Sequence, residues 1–404
     1  MRVLHIAHFY GLQNTGGAAI GATNFHLALL KAGVDSRFVC LHNRGEISPN
    51  VVEVPPQGAF YRKVFLSLTK FLRNFWRLTS YRRPLSLDVI PSGIEREVDR
   101  FKPDIVHVHW VSGDSLSFAE LERVKCPVVV HLHDFWMLGG FNPWGQDDDC
   151  FYSGHYKGRC SWLERNLIRR KQRFINRKNV VFAVASYWGA AICNRSYLGH
   201  GHPVNVIPYV INPIFSYRPE LCRRHERFVI LFGCYGGRQN PQKGFNELKH
   251  AVKRLPRGMQ RKMVICIFGE SGTAETIGDV EVMLLGAVTN PSRLLEIYHN
   301  ADIFAFPSVV ETYGQTKVEA MLCGLPVVAF NRNACAEGIE HLETGWIANE
   351  ADDGHFEDGI KYFFDKWEAG SLDRAVVSAA ASKHFAEGEI VQRLVDMYSS
   401  SINK

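Results

Sequence analysis

The chain has 404 residues, of which 46% are hydrophobic and 22% are charged, with a formal net charge of +6. This composition is typical of an ordinary globular protein and excludes a chain that depends on disulfides or metal ions to fold. Because one hydrophobic core seldom organises so long a chain, we expect two domains of roughly 200 residues each.

The cysteines and the N-terminus indicate the cellular compartment. The ten cysteines are scattered and form no C-x-x-C pair, as expected in a reducing cytosol. The opening MRVLHIAHFY is typical of a first β-strand and not of a signal peptide. No apolar stretch approaches the roughly 20 residues that cross a bilayer. We therefore expect a cytoplasmic protein, either soluble or bound at the inner face of the cytoplasmic membrane.

Short runs rich in Val, Ile and Phe alternate with longer helical stretches, a pattern typical of βαβ units and parallel sheets. The pattern occurs twice, with a break near residues 200–226 where Gly, Pro and charged residues mix. The sequence therefore predicts an α/β protein with two doubly wound, Rossmann-like domains facing a cleft. The predicted strands lie at 2–9, 36–42, 51–54, 104–110, 128–134 and 180–185, and then in RFVILFGC, MVICIFG, EVMLLGAV, DIFAFPS, PVVAF and GWIA.

A glycine loop, GLQNTGGAAIG, follows the first predicted strand and opens a helix at about Ala18. Gly16 and Gly17 can bring bare backbone amides close to a ligand at this helix start. The loop lacks the G-x-G-x-x-G pattern of a dinucleotide fingerprint, so a plain tight turn is an equally simple interpretation.

Residues 60–83 combine aromatic and leucine side chains with seven Arg and Lys residues. A basic helix with an aromatic face can lie on an anionic membrane, and packing of its apolar stripe on the sheet is the alternative. The segment contains no recognised nucleic-acid-binding module, so we expect no nucleic-acid partner.

A strand-end histidine pair lies in HLHDFWMLGG. His131 and His133 point the same way on an extended chain, and Asp134 ends the strand. We expect His133 and Asp134 to reach the cleft from the N-terminal domain, although a strand-end histidine often has a structural role.

An acidic run at 147–149 lies beside Cys150 and Cys160. An Asp-rich triplet can hold a metal-bound diphosphate in metal-dependent sugar transferases. The run has no regular ligand spacing, which favours a solvated loop, so we expect no metal site.

A basic glycine loop, YGGRQNPQKGF, follows the first strand of the second half and carries Arg238 and Lys243 five residues apart. Two cations on one loop after a strand are suited to neutralising a leaving diphosphate. Ligands bind at the carboxyl ends of strands in open α/β sheets, and this loop lies at such an end.

A pair of glutamates follows DIFAFPS, with Glu311 before a predicted helix at 314–323 and Glu319 within it. Carboxylates at these positions can accept hydrogen bonds from hydroxyl groups of a hexose and a ribose. The backbone N–H groups of residues 313–315, at the helix start, would suit a diphosphate. Two solvated glutamates beside an ordinary helix cap are the alternative interpretation.

The order of these motifs resembles that of the family 4 glycosyltransferases over nearly the whole chain. The glycine loop, the strand-end His-Asp, Gly-Arg-x4-Lys-Gly and Glu-x7-Glu follow one another as in that family. The sequences GGAAIGATNFHLALLKAG, DIVHVHW and VVVHLHDFW look closest to bacterial members that build exopolysaccharide, colanic acid, capsule or O-antigen. The resemblance implies the two-domain GT-B fold, with an acceptor-side domain at 1–204, a donor-binding domain at 205–383, and a last helix at 384–404 that packs back on the first domain.

The resemblance also implies a retaining transfer of a sugar from a nucleotide sugar to a glycan or a polyprenyl-diphosphate-linked acceptor, with no cofactor and no metal. Its motifs imply that Arg238 and Lys243 contact the donor diphosphate, with Glu311 on the transferred sugar and Glu319 on the ribose. The expected catalytic residues are His133, Arg238, Lys243 and Glu311, and His133 and Asp134 are expected on the acceptor side. The expected donor-binding residues are Gly16, Gly17, Arg238, Lys243, Glu311, Tyr313, Gly314, Gln315 and Glu319.

Two departures from the family pattern are visible. Pro208-Tyr-Val-Ile-Asn212 stands where many relatives have Pro-Asn-Gly-Val-Asp, and only Cys150 and Cys160 remain of a cysteine-rich stretch. Because a fold does not fix a reaction, two rival functions stay open: a nucleotide-sugar epimerase or hydrolase, and a catalytically inactive nucleotide-sugar-binding protein.

Overall fold

The structure is a computed structural model that divides the chain into two compact units. Unit 1 comprises Met1–Val210 with Gly388–Lys404, and unit 2 comprises Ile211–Glu387. The sequence analysis placed the corresponding boundaries after residue 204 and after residue 383. The structure describes residues 1–13, 15–54, 64, 67, 86–144, 149–155, 162–177, 179–233, 237–273, 275–349 and 354–404.

Unit 1 is built on a parallel sheet whose strand order is β3-β2-β1-β4-β5-β6-β7. Its central strands are rich in buried Val, Ile and Leu and also contain the buried His5, His107 and His131, because a parallel sheet is covered on both faces. The strands are β1 Arg2–Tyr10, β2 Asp35–Asn43, β3 Val51–Glu53, β4 Ile105–Val108, β5 Val128–Leu132, β6 Val180–Val184 and β7 Val204–Val206.

The helices of unit 1 lie between these strands in the chain. Ser117 and Glu120 form a capping box that fixes the start of one of them, since each side chain binds the other's backbone N–H. The helices are α1 Gly17–Lys31, α2 Ile94–Phe101, α3 Phe118–Arg123, α4 Asp149–Ser153, α5 Trp162–Ile175 and α6 Tyr187–Arg195, with a 3-10 turn at Trp136–Leu138.

Unit 2 repeats this architecture with the strand order β10-β11-β9-β8-β12-β13-β14. The pairs are parallel apart from β10 and β11, which pair antiparallel at one edge. The strands are β8 Phe228–Gly233, β9 Met263–Phe268, β10 Glu275–Ile277, β11 Val280–Leu284, β12 Ile303–Phe306, β13 Val327–Phe330 and β14 Gly345–Ala348.

The helices of unit 2 follow its strands, and the last helix of the chain returns to unit 1 from Gly388 onward. Tyr398 on that helix donates or accepts a 2.6 Å hydrogen bond with Nδ1 of His107 in the unit 1 core. The helices are α7 Phe245–Arg254, α8 Arg257–Gln260, α9 Pro291–His299, α10 Gln315–Leu322, α11 Gly354–Glu368, α12 Arg374–His384 and α13 Glu387–Ile402, with 3-10 turns at Pro219–Leu221, Gly237–Gln239 and Pro241–Lys243.

The predicted α/β architecture and all the predicted strands are confirmed. The sequence analysis missed β7 and β10, each three residues long, because so short a run carries little periodicity. Within the described part of the chain, no helix has the length and apolarity needed to span a membrane. Residues 147 and 148, Cys160 and nearly all of 60–83 lie outside the described residues, so the predictions made for them stay predictions.

Candidate functional site

The strand order of unit 2 reverses between β8 and β12, which are neighbours in the sheet. Successive helices leave such a point toward opposite faces of the sheet, which opens a crevice at the carboxyl ends of the strands. Residues 237–244 follow β8 and residues 307–314 follow β12. The two motifs singled out in the sequence of this half therefore lie at the same crevice.

Close backbone contact holds these two loops together. The N–H of Val309 donates to the carbonyl of Gln242 at 2.8 Å. Gly244 has φ 71°, and a Cβ placed on it would lie 1.9 Å from the carbonyl oxygen of Pro307. A glycine is therefore required here both for its left-handed backbone and for the approach of the neighbouring loop.

This contact brings Lys243 and Glu311 together. Lys243 Nζ donates to Glu311 Oε2 at 2.6 Å, and the two side chains are only 26% and 13% exposed. A charge-assisted hydrogen bond in a partly desolvated crevice is stronger than an exposed ion pair. Each group thus fixes the position of the other.

Arg238 is held by two carboxylates that the sequence analysis did not identify. Its guanidinium donates to Glu270 from Nε at 3.2 Å and from Nη2 at 3.0 Å, and Nη1 donates to Glu275 at 2.5 Å. The hydrogen bonds to Glu270 raise the pKa of Arg238 and lower that of Glu270. Glu270 follows β9, so its place at a strand end is the signal that could have found it.

Glu319 lies on α10 and accepts a 2.9 Å hydrogen bond from the hydroxyl of Tyr298. Burial raises the pKa of Glu319 to about 7, and the Tyr298 hydroxyl partly opposes this rise. Gly314, with φ 85°, is the N-cap of α10, and Tyr313 before it is buried. Gln315 is the first residue of the helix, and the N–H groups of Lys317 and Val318 donate to the carbonyl of Gly314 at 3.0 and 3.2 Å.

A buried lysine that the sequence analysis missed supports the next loop of the crevice. Lys317 Nζ donates to the carbonyls of Ala334, Cys335 and Glu337 at 2.9, 3.2 and 2.7 Å. Burial lowers its pKa to about 8. Ala334 in turn donates its N–H to the carbonyl of Glu311 at 3.2 Å, so Lys317 fixes the backbone beside the Lys243–Glu311 pair.

In unit 1 the glycine loop ends at the start of α1. Gly16 is the N-cap with φ 86°, and Gly17, expected in the loop, is the first helical residue. A Cβ on Gly16 would meet no atom within 4 Å, so its glycine is explained by backbone conformation and not by crowding. The N-terminus of α1 lies at the switch between β1 and β4, the unit 1 counterpart of the unit 2 crevice.

His133 and Asp134 follow β5 and make several contacts inside unit 1. Nδ1 of His133 lies 2.7 Å from the hydroxyl of Tyr209, and Nε2 lies 3.1 Å from Nδ1 of His109. The side chain is 8% exposed, and burial lowers its pKa to about 3. A ligand can therefore hydrogen-bond to a ring nitrogen of His133 only by replacing one of these partners.

Asp134 has contacts that organise its own loop. Its carboxylate accepts from the indole Nε1–H of Trp110 and from the backbone N–H of Trp136, both at 3.0 Å. These bonds join the loops that follow β4 and β5. The geometry thus supports a structural role for Asp134 beside the acceptor-side role that the sequence predicts.

Of the described residues, His5, His107 and His109 form a group with metal-ligand spacing, their candidate nitrogens lying within 4.8 Å of one another. Both nitrogens of His109 already have histidine partners, so an ion would have to displace one of them.

At the acidic run, Asp149 begins α4, and the buried Cys150 thiol donates to the carbonyl of His155 at 3.4 Å.

We predict that Gly244→Ala separates the two loops of the unit 2 crevice, because Cβ would overlap the Pro307 carbonyl oxygen and the backbone has positive φ. The expected cost is about 2 to 4 kcal/mol of stability, measured as a lower thermal unfolding midpoint. Gly258→Ala in α8 is the matched control, since no atom lies within 4 Å of its Cβ position. Equal midpoints for the two variants would contradict the predicted role of Gly244.

Two family models match the chain. Residues 15–214 match the model described as Glycosyltransferase Family 4, and residues 219–383 match the model described as Glycosyl transferases group 1. A D-inositol 3-phosphate glycosyltransferase of Rhodococcus jostii is 37% identical over 365 residues, covering 85% of this chain and 75% of that protein. The enzyme of the same name from Streptosporangium roseum is 24% identical over 418 residues, covering 97% and 90%.

Solved structures share the fold at low sequence identity. Sucrose-phosphate synthase from Thermosynechococcus elongatus superposes with a TM-score of 0.67 at 15% identity, covering 99% of this chain and 98% of that one. HepE of Anabaena in complex with UDP-glucose gives a TM-score of 0.62 at 16% identity, covering 99% and 100%. Together with the two doubly wound units and the identity to the Rhodococcus enzyme, these matches establish that the chain belongs to the family 4 glycosyltransferases and has their GT-B fold.

Proposed function

We propose that this glycosyltransferase takes its sugar from a nucleoside diphosphate bound in the unit 2 crevice and transfers it with retention of anomeric configuration, without a metal ion. The observation that carries the proposal is the 2.6 Å pair between Lys243 and Glu311 at the point where the strand order reverses. A cation and a carboxylate in fixed, adjacent positions can bind a phosphate and a sugar hydroxyl group, respectively.

The site residues have distinct roles in this proposal. Arg238 and Lys243 stabilise the diphosphate, assisted by the first backbone amides of α10, while Glu311 accepts from hydroxyls of the transferred sugar and Glu319 from those of the ribose. Gly16 and Gly17 bring backbone amides close to the phosphates, and His133 contacts the acceptor side. Structures of related fold were solved with UDP and glucose, in HepE of Anabaena, and with ADP and acarbose, in starch synthase IV of Arabidopsis thaliana, which supports the donor class.

In the proposed reaction, a hydroxyl oxygen of the acceptor forms a bond to the anomeric carbon while the bond from that carbon to the diphosphate oxygen breaks. The nucleoside diphosphate leaves with the electron pair of that bond, and a departing phosphate oxygen takes the proton of the acceptor hydroxyl. Fixed cations that face the leaving group lower the barrier, because they stabilise the negative charge as it develops. Entry of the acceptor on the face that the diphosphate leaves gives retention.

The proposal also includes the class of acceptor. We place a glycan or a polyprenyl-diphosphate-linked glycan first, in surface polysaccharide biosynthesis at the inner face of the cytoplasmic membrane. The relatives named D-inositol 3-phosphate glycosyltransferases make inositol 3-phosphate the second acceptor to test. Incubation of UDP-, GDP- and ADP-sugars with each acceptor, followed by NMR of the first product anomer, tests donor, acceptor and retention together.

The rival epimerase or hydrolase predicts a different product. With donor alone, an epimerase yields an isomeric nucleotide sugar and a hydrolase yields free sugar at full rate. Acceptor-dependent formation of a new glycosidic bond supports transfer, and full turnover without acceptor would contradict it.

We predict that activity persists in excess chelator and that Lys243→Ala lowers kcat about 30- to 1000-fold, the equivalent of about 2 to 4 kcal/mol of lost transition-state stabilisation. Lys253→Ala is the control, because Lys253 is an exposed residue of α7 outside the crevice and should keep kcat. Strict dependence on added Mn2+ would contradict the metal-free mechanism. An unchanged rate in Lys243→Ala would remove Lys243 from the site.

We predict that donor affinity falls as the pH is lowered from 8 to 6. Burial raises the pKa of Glu319 to about 7, so the carboxylate that accepts from the ribose is mostly ionised at pH 8 and mostly protonated at pH 6. The expected loss is roughly tenfold, measured by calorimetry with an intact nucleotide sugar, whose diphosphate diester keeps its charge over this range. Glu319→Gln, which does not titrate, should bind with little pH dependence; a wild-type slope retained in this variant would assign the titration to another group.

A further inference from the structure

One face of the unit 1 sheet carries an unusual number of histidines. His5 on β1 pairs in register with His107 on β4, and the two-residue alternation of strands places His109, His131 and His133 on the same side. All five are at most 8% exposed, and the opposite side of these strands consists of buried Val, Ile and Leu. The polar face lies between the sheet and α1, whose Phe25 stacks against it.

Three of these rings and one tyrosine form a continuous chain of hydrogen bonds. Nδ1 of His5 lies 2.9 Å from Nε2 of His109, and Nδ1 of His109 lies 3.1 Å from Nε2 of His133. Nδ1 of His133 lies 2.7 Å from the hydroxyl of Tyr209. The chain therefore runs from the middle of the sheet to the strand-end histidine and the segment that leads into unit 2.

Proton counting restricts this chain to two states. Burial lowers the pKa of each ring well below 6.5, so each ring is neutral and has one N–H and one lone pair. If Tyr209 donates to His133, all three rings must carry the proton on Nε2. If His133 donates to Tyr209, all three must carry it on Nδ1. Neighbouring rings consequently cannot choose their tautomers independently.

The tyrosine that ends the chain is itself held in place by α1. A Cβ on Gly21 would lie 2.9 Å from Cδ1 of Tyr209, so the absence of a side chain at Gly21 makes room for the aromatic ring. Asn24 Nδ2 donates to the carbonyl of Val210 at 2.9 Å. The Tyr209 and His133 rings are nearly parallel, at 11°, with centroids 5.3 Å apart. Packing and hydrogen bonding thus both fix this ring.

We propose that Tyr209 and His109 are positioning residues that hold His133 in one ring orientation and one tautomer, so that an acceptor group that takes the place of one of these partners meets a ring nitrogen in a defined protonation state. The inference rests on the proposed function in one respect, the assignment of His133 to the acceptor side. An effect on donor binding is not expected, because every residue of this hydrogen-bonded series belongs to unit 1.

The same core offers a matched control. Tyr398 is fully buried, and its hydroxyl lies 2.6 Å from Nδ1 of His107, a contact of the same kind that is outside the chain ending at His133. Tyr209→Phe and Tyr398→Phe each remove one buried hydroxyl from one buried histidine. The two variants should lose similar stability, so any difference in turnover reflects the position of the hydroxyl.

The test combines kinetics with 15N NMR of protein labelled at its histidine rings and assigned by substitution. In the wild type, the nitrogen shifts should show one tautomer for His133, the same as for His109 and His5. Tyr209→Phe should shift His133 to the other tautomer or to a mixture and lower kcat about 10- to 100-fold, with the donor KM changed less than twofold. Tyr398→Phe should leave kcat within twofold of the wild type.

Several outcomes would overturn the proposal. A wild-type His133 that populates both tautomers contradicts it, as does an equal loss of kcat in the two phenylalanine variants. The NMR arm needs no substrate, so it decides the positioning claim even if no donor is turned over. Full activity of His133→Ala would instead contradict the proposed acceptor-side role of His133 while leaving the NMR result valid.

Discussion

In each unit the sheet reverses its strand order next to its first strand, between β1 and β4 in unit 1 and between β8 and β12 in unit 2. This reversal opens a crevice at the carboxyl ends of the strands, and the candidate site is built from the loops that border the crevice. In unit 2 it leaves two loops close enough for Gln242 and Val309 to share a backbone hydrogen bond. The positions of Lys243 and Glu311 follow from that contact.

The two cations of the unit 2 crevice already have carboxylate partners. Arg238 is paired with Glu270 and Glu275, and Lys243 with Glu311, so these five groups carry more negative than positive charge. The diphosphate of the proposed donor would have to share cations that already have partners, which reduces the gain in charge neutralisation. This smaller electrostatic gain is offset by preorganisation, because side chains that are fixed before binding lose less conformational entropy when the ligand binds.

The sequence predicted the architecture because buried parallel strands are apolar runs between helical stretches. It placed Arg238, Lys243 and Glu311 in loops after strands and Glu319 in the helix that follows. It could not predict their partners, because these come from distant parts of the chain: Glu270, 32 residues from Arg238, and Lys243, 68 residues from Glu311. The contact between His133 and Tyr209 spans 76 residues. A sequence signal existed for the histidine chain, since paired histidines one residue apart occur in two apolar strands, but their separate local patterns do not show that they meet.

The departure at Pro208-Tyr-Val-Ile-Asn212 has a structural explanation in the contact between Tyr209 and Gly21. The ring lies where a side chain on α1 would otherwise be, so the two positions share one volume. A bulkier residue at 21 therefore requires a smaller residue at 209. The glycine on the helix and the aromatic residue of the linker therefore form one packing unit, and neither can be exchanged alone for a larger residue without displacing the other.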